Sequence, residues 1–359
     1  MDTKPFPTIK HGNQGHPHHH HSPVPSGKIP FSFIIQILFI LAAVGLIVFF
    51  RQHPAFSTLS ITFVAIFLEA LPFMLLGSLI GGFIEVFVSK EALTKFLPGT
   101  SWRTILIAAG AGFFFPVCEC AIVPVVRRLF QKGLPLGAGI AFLLGGPIVN
   151  PLVGLSTAVA YGYQWTIAID RIVLGYLIAV TVGILVDLFF SKQNALAPGL
   201  QDNNHTCACG HDHHPEHGEH RLSLFQKIIA AFQHAAGDFL DIGRYLIFGA
   251  FIAALLQTVI ARGEMAAIAS TPVLAILTMM LLAVILNLCS EADAFIAATF
   301  RTSLPLSAQM AFMVLGPMLD IKLILMYFQL FRKRFIIALS GTTFMLVFLS
   351  MLIKYWSQG

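Results

Sequence analysis

Long apolar runs separated by short polar stretches dominate the pattern of this chain. Each run approaches or exceeds the roughly 18 apolar residues that a helix needs to cross a bilayer. The pattern therefore predicts an all-α, polytopic membrane protein with about nine hydrophobic segments. These segments are Phe31–Phe50, Leu59–Val88, Ile105–Val126, Ala138–Ala160, Trp165–Phe190, Phe239–Ile260, Val273–Phe300, Met310–Phe331 and Phe335–Ile353.

The pattern also repeats itself after about 170 residues. Matched segments at a constant offset are expected when two halves of a chain arose by duplication. We therefore predict two pseudo-symmetric four-segment repeats plus an extra N-terminal helix. The matched pairs are Phe67–Glu69 with Phe239–Asp241, Gly77 with Gly249, Pro135–Phe142 with Pro305–Phe312, and Gly146–Asn150 with Gly316–Asp320.

These patterns divide the chain into five parts. We expect a disordered, His-rich leader at 1–28, a transmembrane helix at 29–50, the first membrane repeat at 57–190, a His/Cys-rich linker at 191–223 and the second repeat at 224–356. If every segment crosses the membrane fully, the basic loops fall on both sides, which conflicts with the preference of Lys and Arg for the cytoplasmic side. Broken or re-entrant helices near Pro116–Pro124 or Gly145–Pro151 would resolve the conflict, and parallel and inverted repeats both stay open.

Composition supports a membrane location and argues against nucleic-acid binding. Hydrophobic residues make up 57% of the chain and charged residues only 11%, unlike any ordinary soluble domain. The net charge of +5 is spread over the loops, which is typical of membrane anchoring. The lipid bilayer is therefore the first predicted partner.

The densest chemical motif joins Cys118, Glu119 and Cys120 between Pro116 and Pro124. Two prolines would interrupt a helix, and irregular backbone inside a membrane is tolerated only where protein or a water-filled cavity covers it. Thiolates favour soft ions, and a carboxylate adds charge or carries a proton. The alternative is that both cysteines are small packing residues.

A second motif in the other half carries Cys289, Glu291 and Asp293. Charge within an apolar segment is costly and marks a functional site by default. A structural ion pair, for example with Arg244 or Lys322, is the alternative. Both motifs are predicted to meet near the bilayer midplane, one from each half.

Further polar residues occupy matched positions in the two repeats. Asn150 and Asp320 follow the Gly-Pro breaks and are predicted to line the transport site, unless the breaks are simple packing kinks. Glu69 and Asp241 are candidates for proton coupling.

The polar linker has the spacing of a metal-binding tract. Its thiols and imidazoles could bind Zn, Cu or Ni, although no cofactor is predicted firmly. The candidate ligands are Cys207, Cys209, His211, His213, His214, His217 and His220.

Residues 116–129, 145–151 and 290–295 resemble recurrent segments of a bacterial predicted-permease family. That family includes the organoarsenical (methylarsenite) efflux permeases, and the similarity covers most of 57–350. It implies a permease of the bacterial plasma (inner) membrane with an intramembrane, cysteine-containing site. The His/Cys linker departs from a simple arsenical pump, which raises divalent or soft metal ions as substrates.

We therefore predict a secondary transporter, not an enzyme, that exports a thiophilic metal ion or metalloid with proton coupling. The substrate would be a small inorganic or organometalloid species, and a homo-oligomer or an accessory subunit stays open. Alternatives are a membrane thiol-redox enzyme and a metal-sensing subunit of a membrane complex. Direction of transport, coupling ion and the side of the linker are open at this point.

Overall fold

The computed structural model describes residues 45, 54–89, 102–114, 118–200, 224–259 and 271–358. The chain divides into two units, residues 1–53 and 54–359. In the first unit the described residue is Gly45, which is helical. The predicted leader, the first transmembrane helix and residues 201–223 of the linker therefore fall almost wholly outside the described residues.

The second unit is built from helices. Within the described ranges, regular pairing between extended segments is limited to one isolated antiparallel bridge between Leu196 and Phe331. The helices are α1 Pro54–Phe87, α2 Trp102–Gly110, α3 Glu119–Gln131, α4 Leu136–Gly145, α5 Pro151–Ala160, α6 Trp165–Phe189, α7 Lys192–Ala195, α8 Leu224–Val259, α9 Pro272–Leu286, α10 Asp293–Ala298, α11 Leu306–Leu315, α12 Ile321–Tyr327 and α13 Lys333–Gln358. Short 3₁₀ turns cover Ala111–Phe113 and Pro198–Leu200.

Four helices are long and apolar enough to cross a membrane, among the residues described. They are α1, α6, α8 and α13, with spans at Phe56–Phe87, Trp165–Phe189, Leu224–Thr258 and Lys333–Ser357. Shorter apolar helices accompany them. The chain is therefore an all-α, polytopic membrane protein, which confirms the predicted fold class.

The other four apolar runs of the described chain are broken into pairs of shorter helices. Residues 105–126 form α2 and α3, and residues 138–160 form α4 and α5. Residues 273–300 form α9 and α10, and residues 310–331 fall within α11 and α12. Broken helices were predicted from the prolines, glycines and conflicting charges, and the breaks lie at equivalent places in the two halves. The expectation that Pro124 interrupts a helix was wrong, because Pro124 lies inside α3.

Matched helices start at nearly constant separation along the chain. Five pairs show this spacing: α1 with α8, α2 with α9, α4 with α11, α5 with α12, and α6 with α13. Their first residues are 54 and 224, 102 and 272, 136 and 306, 151 and 321, and 165 and 333. The predicted domain boundaries stay a prediction, because the chain forms one unit from residue 54 onward.

Two of the breaks are closed by side-chain caps. Asn150 precedes α5, and its carboxamide oxygen accepts a hydrogen bond from the backbone N–H of Leu152 at 2.9 Å. Asp320 precedes α12 and accepts from the N–H of Leu323 at 2.6 Å. Such caps satisfy N–H groups that a helix start leaves without partners, which matters most away from water.

The long helices pack against the short ones through matched glycines. The pair α1 and α8 runs side by side, with α1 also packing on α3 and α8 on α12. A Cβ on Gly77 would overlap the backbone of Ala121, and one on Gly249 would lie 2.8 Å from the Cα of Lys322. These two glycines let the breaks come close to the long helices.

Candidate functional site

A small cavity lies where α1 meets broken helices from both halves. Its volume of about 10 Å³ leaves room for roughly one water molecule. Its wall contains the Cys118–Cys120 motif and Cys289, so the two motifs approach the same space. The lining residues are Ile66, Glu69, Ala70, Phe73, Cys118, Glu119, Cys120, Asn287, Cys289 and Lys322.

The centre of the cavity wall is an ion pair between Glu119 and Lys322. The two residues are 1% and 3% exposed, and Lys322 Nζ lies 3.2 Å from Glu119 Oε1. The Ser290 hydroxyl donates to Glu119 Oε2 at 3.1 Å. Removing one partner of such a buried pair leaves an uncompensated charge, at a cost of about 3–5 kcal/mol. Each of the two side chains therefore depends on the other.

A second carboxylate lies beside the same ammonium. Asp320 Oδ2 is 3.7 Å from Lys322 Nζ. With its carboxamide nitrogen turned toward Asp320, Asn287 donates to both carboxylate oxygens, at 3.0 and 2.7 Å. Asn287 reaches this position because its left-handed backbone, with φ 52°, ends α9 at the break. Lys322 is thus shared by two carboxylates, one from each half of the chain.

Three buried cysteines that form no disulfide belong to this site: Cys118, Cys120 and Cys289. The Cys289 thiol donates to Glu291 Oε2 at 2.6 Å, and Glu69 lines the same cavity as this thiol. Sulfur and carboxylate ligands therefore occur side by side in one confined space. Thiols and carboxylates are the residue types that soft or borderline ions favour, but in the described residues no three of them are arranged to hold a metal ion.

Asp293 pairs with a different buried base. Its Oδ2 atom is 3.7 Å from a terminal nitrogen of Arg171, and the described residues show no ion pair between Asp293 and Arg244 or Lys322. Arg171 is fully buried and donates to Met313 O at 3.2 Å, Thr157 Oγ1 at 2.9 Å and Ser290 O at 2.9 Å. This arginine connects α6 of the first half to the break that precedes α10.

Glu69 and Asp241 do not share a site. Glu69 lines the cavity, whereas Asp241 lies 3.5 Å from Arg127 and 3.9 Å from Arg244 with its side chain about half exposed. Asn150 acts as a helix cap, and among the described residues it is not part of the cavity wall. The proton-coupling role of both carboxylates stays a prediction.

The seven predicted ligands of the linker fall outside the described residues. Within the ranges that are described, no group of three or more His, Cys, Asp or Glu side chains is arranged to hold a metal ion. Zn, Cu or Ni at the linker therefore stays a prediction.

Four residues around the motifs were not predicted as site residues: Arg171, Asn287, Ser290 and Lys322. A signal for two of them was present, because an ionisable residue inside an apolar segment marks a functional site by default. Arg171 interrupts the apolar run of α6, and Lys322 follows a Gly-Pro break. Asn287 and Ser290 are ordinary polar residues whose importance follows from the neighbours that folding brings to them.

Comparison with known proteins agrees with this architecture. A family described as "Predicted permease" (ArsP_1) matches residues 55–355. The UPF0718 protein YcgR of Bacillus subtilis (strain 168) is 39% identical over 288 residues, which cover 80% of this chain and 93% of the relative. A protein of Streptococcus mutans named "Putative two-component membrane permease complex subunit" is 38% identical over 295 residues, with 81% and 93% coverage.

No solved structure matches the chain. The family match nevertheless spans the long helices, all four broken pairs and the cavity between them. The chain is a multi-pass membrane permease and belongs to the predicted-permease family ArsP_1.

Proposed function

We propose that this permease is a secondary transporter that exports a thiophilic metal ion or metalloid across the bacterial plasma membrane in exchange for protons. The observation that carries the proposal is the cavity, which combines Cys118 and Cys120 from one half with Cys289 from the other. Duplicated transporters hold their substrates where the two halves meet, often at broken helices. Thiol ligands select soft ions over the abundant hard ones.

The carboxylates around the cavity suit ion–proton exchange. Glu291 accepts the hydrogen bond of the Cys289 thiol, Glu69 lines the same cavity, and Glu119 lies between the other two thiols along the chain. A thiol must lose its proton to bind a metal, so a neighbouring carboxylate that accepts this proton would couple binding to proton release.

Two other functions predict different behaviour. A thiol-redox enzyme would cycle Cys118 and Cys120 between thiol and disulfide without moving an ion. A sensing subunit would bind metal and pass the signal to a partner. The Streptococcus mutans relative, named as a subunit of a two-component complex, favours a variant of our proposal in which transport needs a second subunit.

Flux measurements separate these functions. We expect purified protein in proteoliposomes to move Zn²⁺, Cd²⁺ or phenylarsine oxide, with proton movement in the opposite direction reported by a pH-sensitive dye. Cys118→Ser keeps the size of the side chain but weakens soft-ion coordination. It should therefore reduce the rate about tenfold or more, a loss of roughly 1.4 kcal/mol in transition-state stabilisation.

Thr343→Val serves as the matched control. Thr343 is a buried hydroxyl residue on α13 that does not line the described cavity, and the substitution preserves its shape. Its flux should equal that of the wild type. Flux that requires native membranes would favour the two-subunit variant. Wild-type protein that moves none of the three probes in either setting would contradict the proposed function.

A further inference from the structure

The two fully buried basic residues near the breaks are held in very different ways. Arg171 donates to two backbone carbonyls and one hydroxyl in addition to facing Asp293, so four neighbours fix it in place. The Lys322 ammonium instead faces two carboxylates, Glu119 at 3.2 Å and Asp320 at 3.7 Å. A lysine head group on a flexible four-carbon stem can change partners far more easily than a fork of fixed guanidinium bonds.

The position of Lys322 matters because the cavity is almost full. With room for roughly one water molecule, it cannot accept an ion with its hydration shell unless something moves. Glu119 lies between the two thiols of the first motif along the chain, and in this structure its carboxylate forms an ion pair with Lys322. A cation that needs the charge of Glu119 therefore has to compete with a cation that the protein already carries.

We propose that Lys322 is a tethered competitor of the transported cation, an inference that rests on the proposed function. In the empty cavity its ammonium neutralises Glu119. When a metal cation binds to the thiols and Glu119, the ammonium shifts fully onto Asp320. The return of Lys322 to Glu119 then helps to expel the metal.

The surroundings of Asp320 support this exchange. Asp320 already accepts hydrogen bonds from the Leu323 N–H and from the Asn287 carboxamide, so two further donors hold its carboxylate in position beside Lys322. Lys322 Nζ is only 0.5 Å farther from Asp320 than from Glu119, since the two distances are 3.7 and 3.2 Å. A small movement of the lysine head group is therefore sufficient to change partners.

The test compares transport kinetics of Zn²⁺ and Cd²⁺ in proteoliposomes for Lys322 variants. Lys322→Gln removes the competitor, so KM should fall about tenfold, because the fraction of sites ready for the cation rises. Turnover should fall as well, because nothing displaces the bound ion. Lys322→Arg keeps the charge but holds carboxylates with two hydrogen bonds, so its KM should rise several-fold.

Lys192→Gln is the matched control. Its ammonium is partly buried, and it donates to the carbonyls of Phe130 and Leu134 at 3.1 and 3.2 Å, away from the described cavity wall. This variant should leave both KM and turnover at wild-type values. Glu119→Gln should raise KM, because the cation loses the charge for which Lys322 competes.

The outcomes separate this inference from the proposed function. A merely structural lysine would give a higher KM in Lys322→Gln and wild-type kinetics in Lys322→Arg, and this result would overturn the inference alone. If Lys322→Gln fails to fold, an unchanged or lower KM in Lys322→Arg would by itself overturn the inference. If the wild type moves phenylarsine oxide but neither metal cation, the proposed function stands and the tethered competitor is excluded. If the wild type moves none of these probes, both the proposed function and the inference about Lys322 are wrong.

Discussion

At the scale of single residues, the acidic side chains at the breaks share a common placement. Glu119 and Asp293 are the first residues of α3 and α10, and Asp320 caps α12. The unpaired N–H groups at a helix start stabilise nearby negative charge. The helix starts at the breaks therefore lower the free energy of burying these carboxylates, whereas an isolated buried charge would be very costly.

Glu291 provides a prediction at this scale. Its carboxylate accepts a hydrogen bond from the Cys289 thiol at 2.6 Å, so under the proposed function it is well placed to take the proton that this thiol would lose on binding a metal. Glu291→Gln keeps the shape but cannot take a proton. It should therefore flatten the dependence of transport on pH. The measurement is the initial flux in proteoliposomes over the pH range in which the wild-type flux changes.

Asp170→Asn is the control for this measurement. Asp170 pairs with Lys354 at 2.6 Å, is about half exposed and is not part of the described cavity wall, so its loss should leave the pH profile unchanged. A profile for Glu291→Gln as steep as that of the wild type would count against proton coupling through this residue.

At the scale of elements, the close packing of long and broken helices depends on Gly77 and Gly249. Each glycine faces the first turn of a half-helix in the same half of the sequence as itself, α3 for Gly77 and α12 for Gly249. Because α3 carries Glu119 and α12 carries Lys322, these contacts hold the two sides of the central ion pair in position.

We therefore predict that Gly77→Ala and Gly249→Ala each destabilise the protein. A methyl group forced into a packed contact typically costs about 1–3 kcal/mol, which should lower the melting temperature in detergent. Gly237→Ala, on the same helix as Gly249, meets open space. It should be neutral or stabilising by up to about 1 kcal/mol, since alanine favours helix more than glycine does. Equal melting temperatures for all three variants would contradict the packing argument.

At the scale of the whole molecule, buried and partly buried ion pairs join the two halves. Glu119 pairs with Lys322, Arg171 faces Asp293, and Arg128 lies 2.6 Å from Asp238. Every one of these pairs takes one partner from each half of the sequence. If one half unfolded alone, charged side chains of the other half would lose their partners. We therefore expect the two halves to unfold together.

The linker between the halves gives the prediction at this scale. Deleting 201–220 should lower the affinity of the protein for Zn²⁺ but leave the membrane unit folded, because the deleted tract is polar and carries all seven predicted linker ligands. Isothermal titration and size-exclusion chromatography in detergent would measure the two effects. Replacing the same residues by a Gly/Ser stretch of equal length separates loss of ligands from shortening of the chain. Unfolding of both variants would contradict the prediction.

Much of the architecture follows from local pattern. The length of apolar runs requires transmembrane helices, and the two Gly-Pro pairs, each followed by a capping residue, mark breaks between short helices. Helix positions recur at a constant offset because the two halves share these local signals. The proximity of the Cys118 and Cys289 motifs could be predicted as well, since matched sites in duplicated transporters converge.

Local sequence signals therefore suffice for the membrane class, the helix breaks and the candidate site residues. The pairing of the charges follows from the folded arrangement alone: Lys322 pairs with Glu119 and Asp320, and Arg171 with Asp293. The folded arrangement also separates Asp241 from the cavity that Glu69 lines. Helices and breaks depend on neighbours a few residues apart, whereas a buried charge is stabilised by whichever opposite charge folding brings within a few ångströms, here from 203 residues away for Lys322 and Glu119.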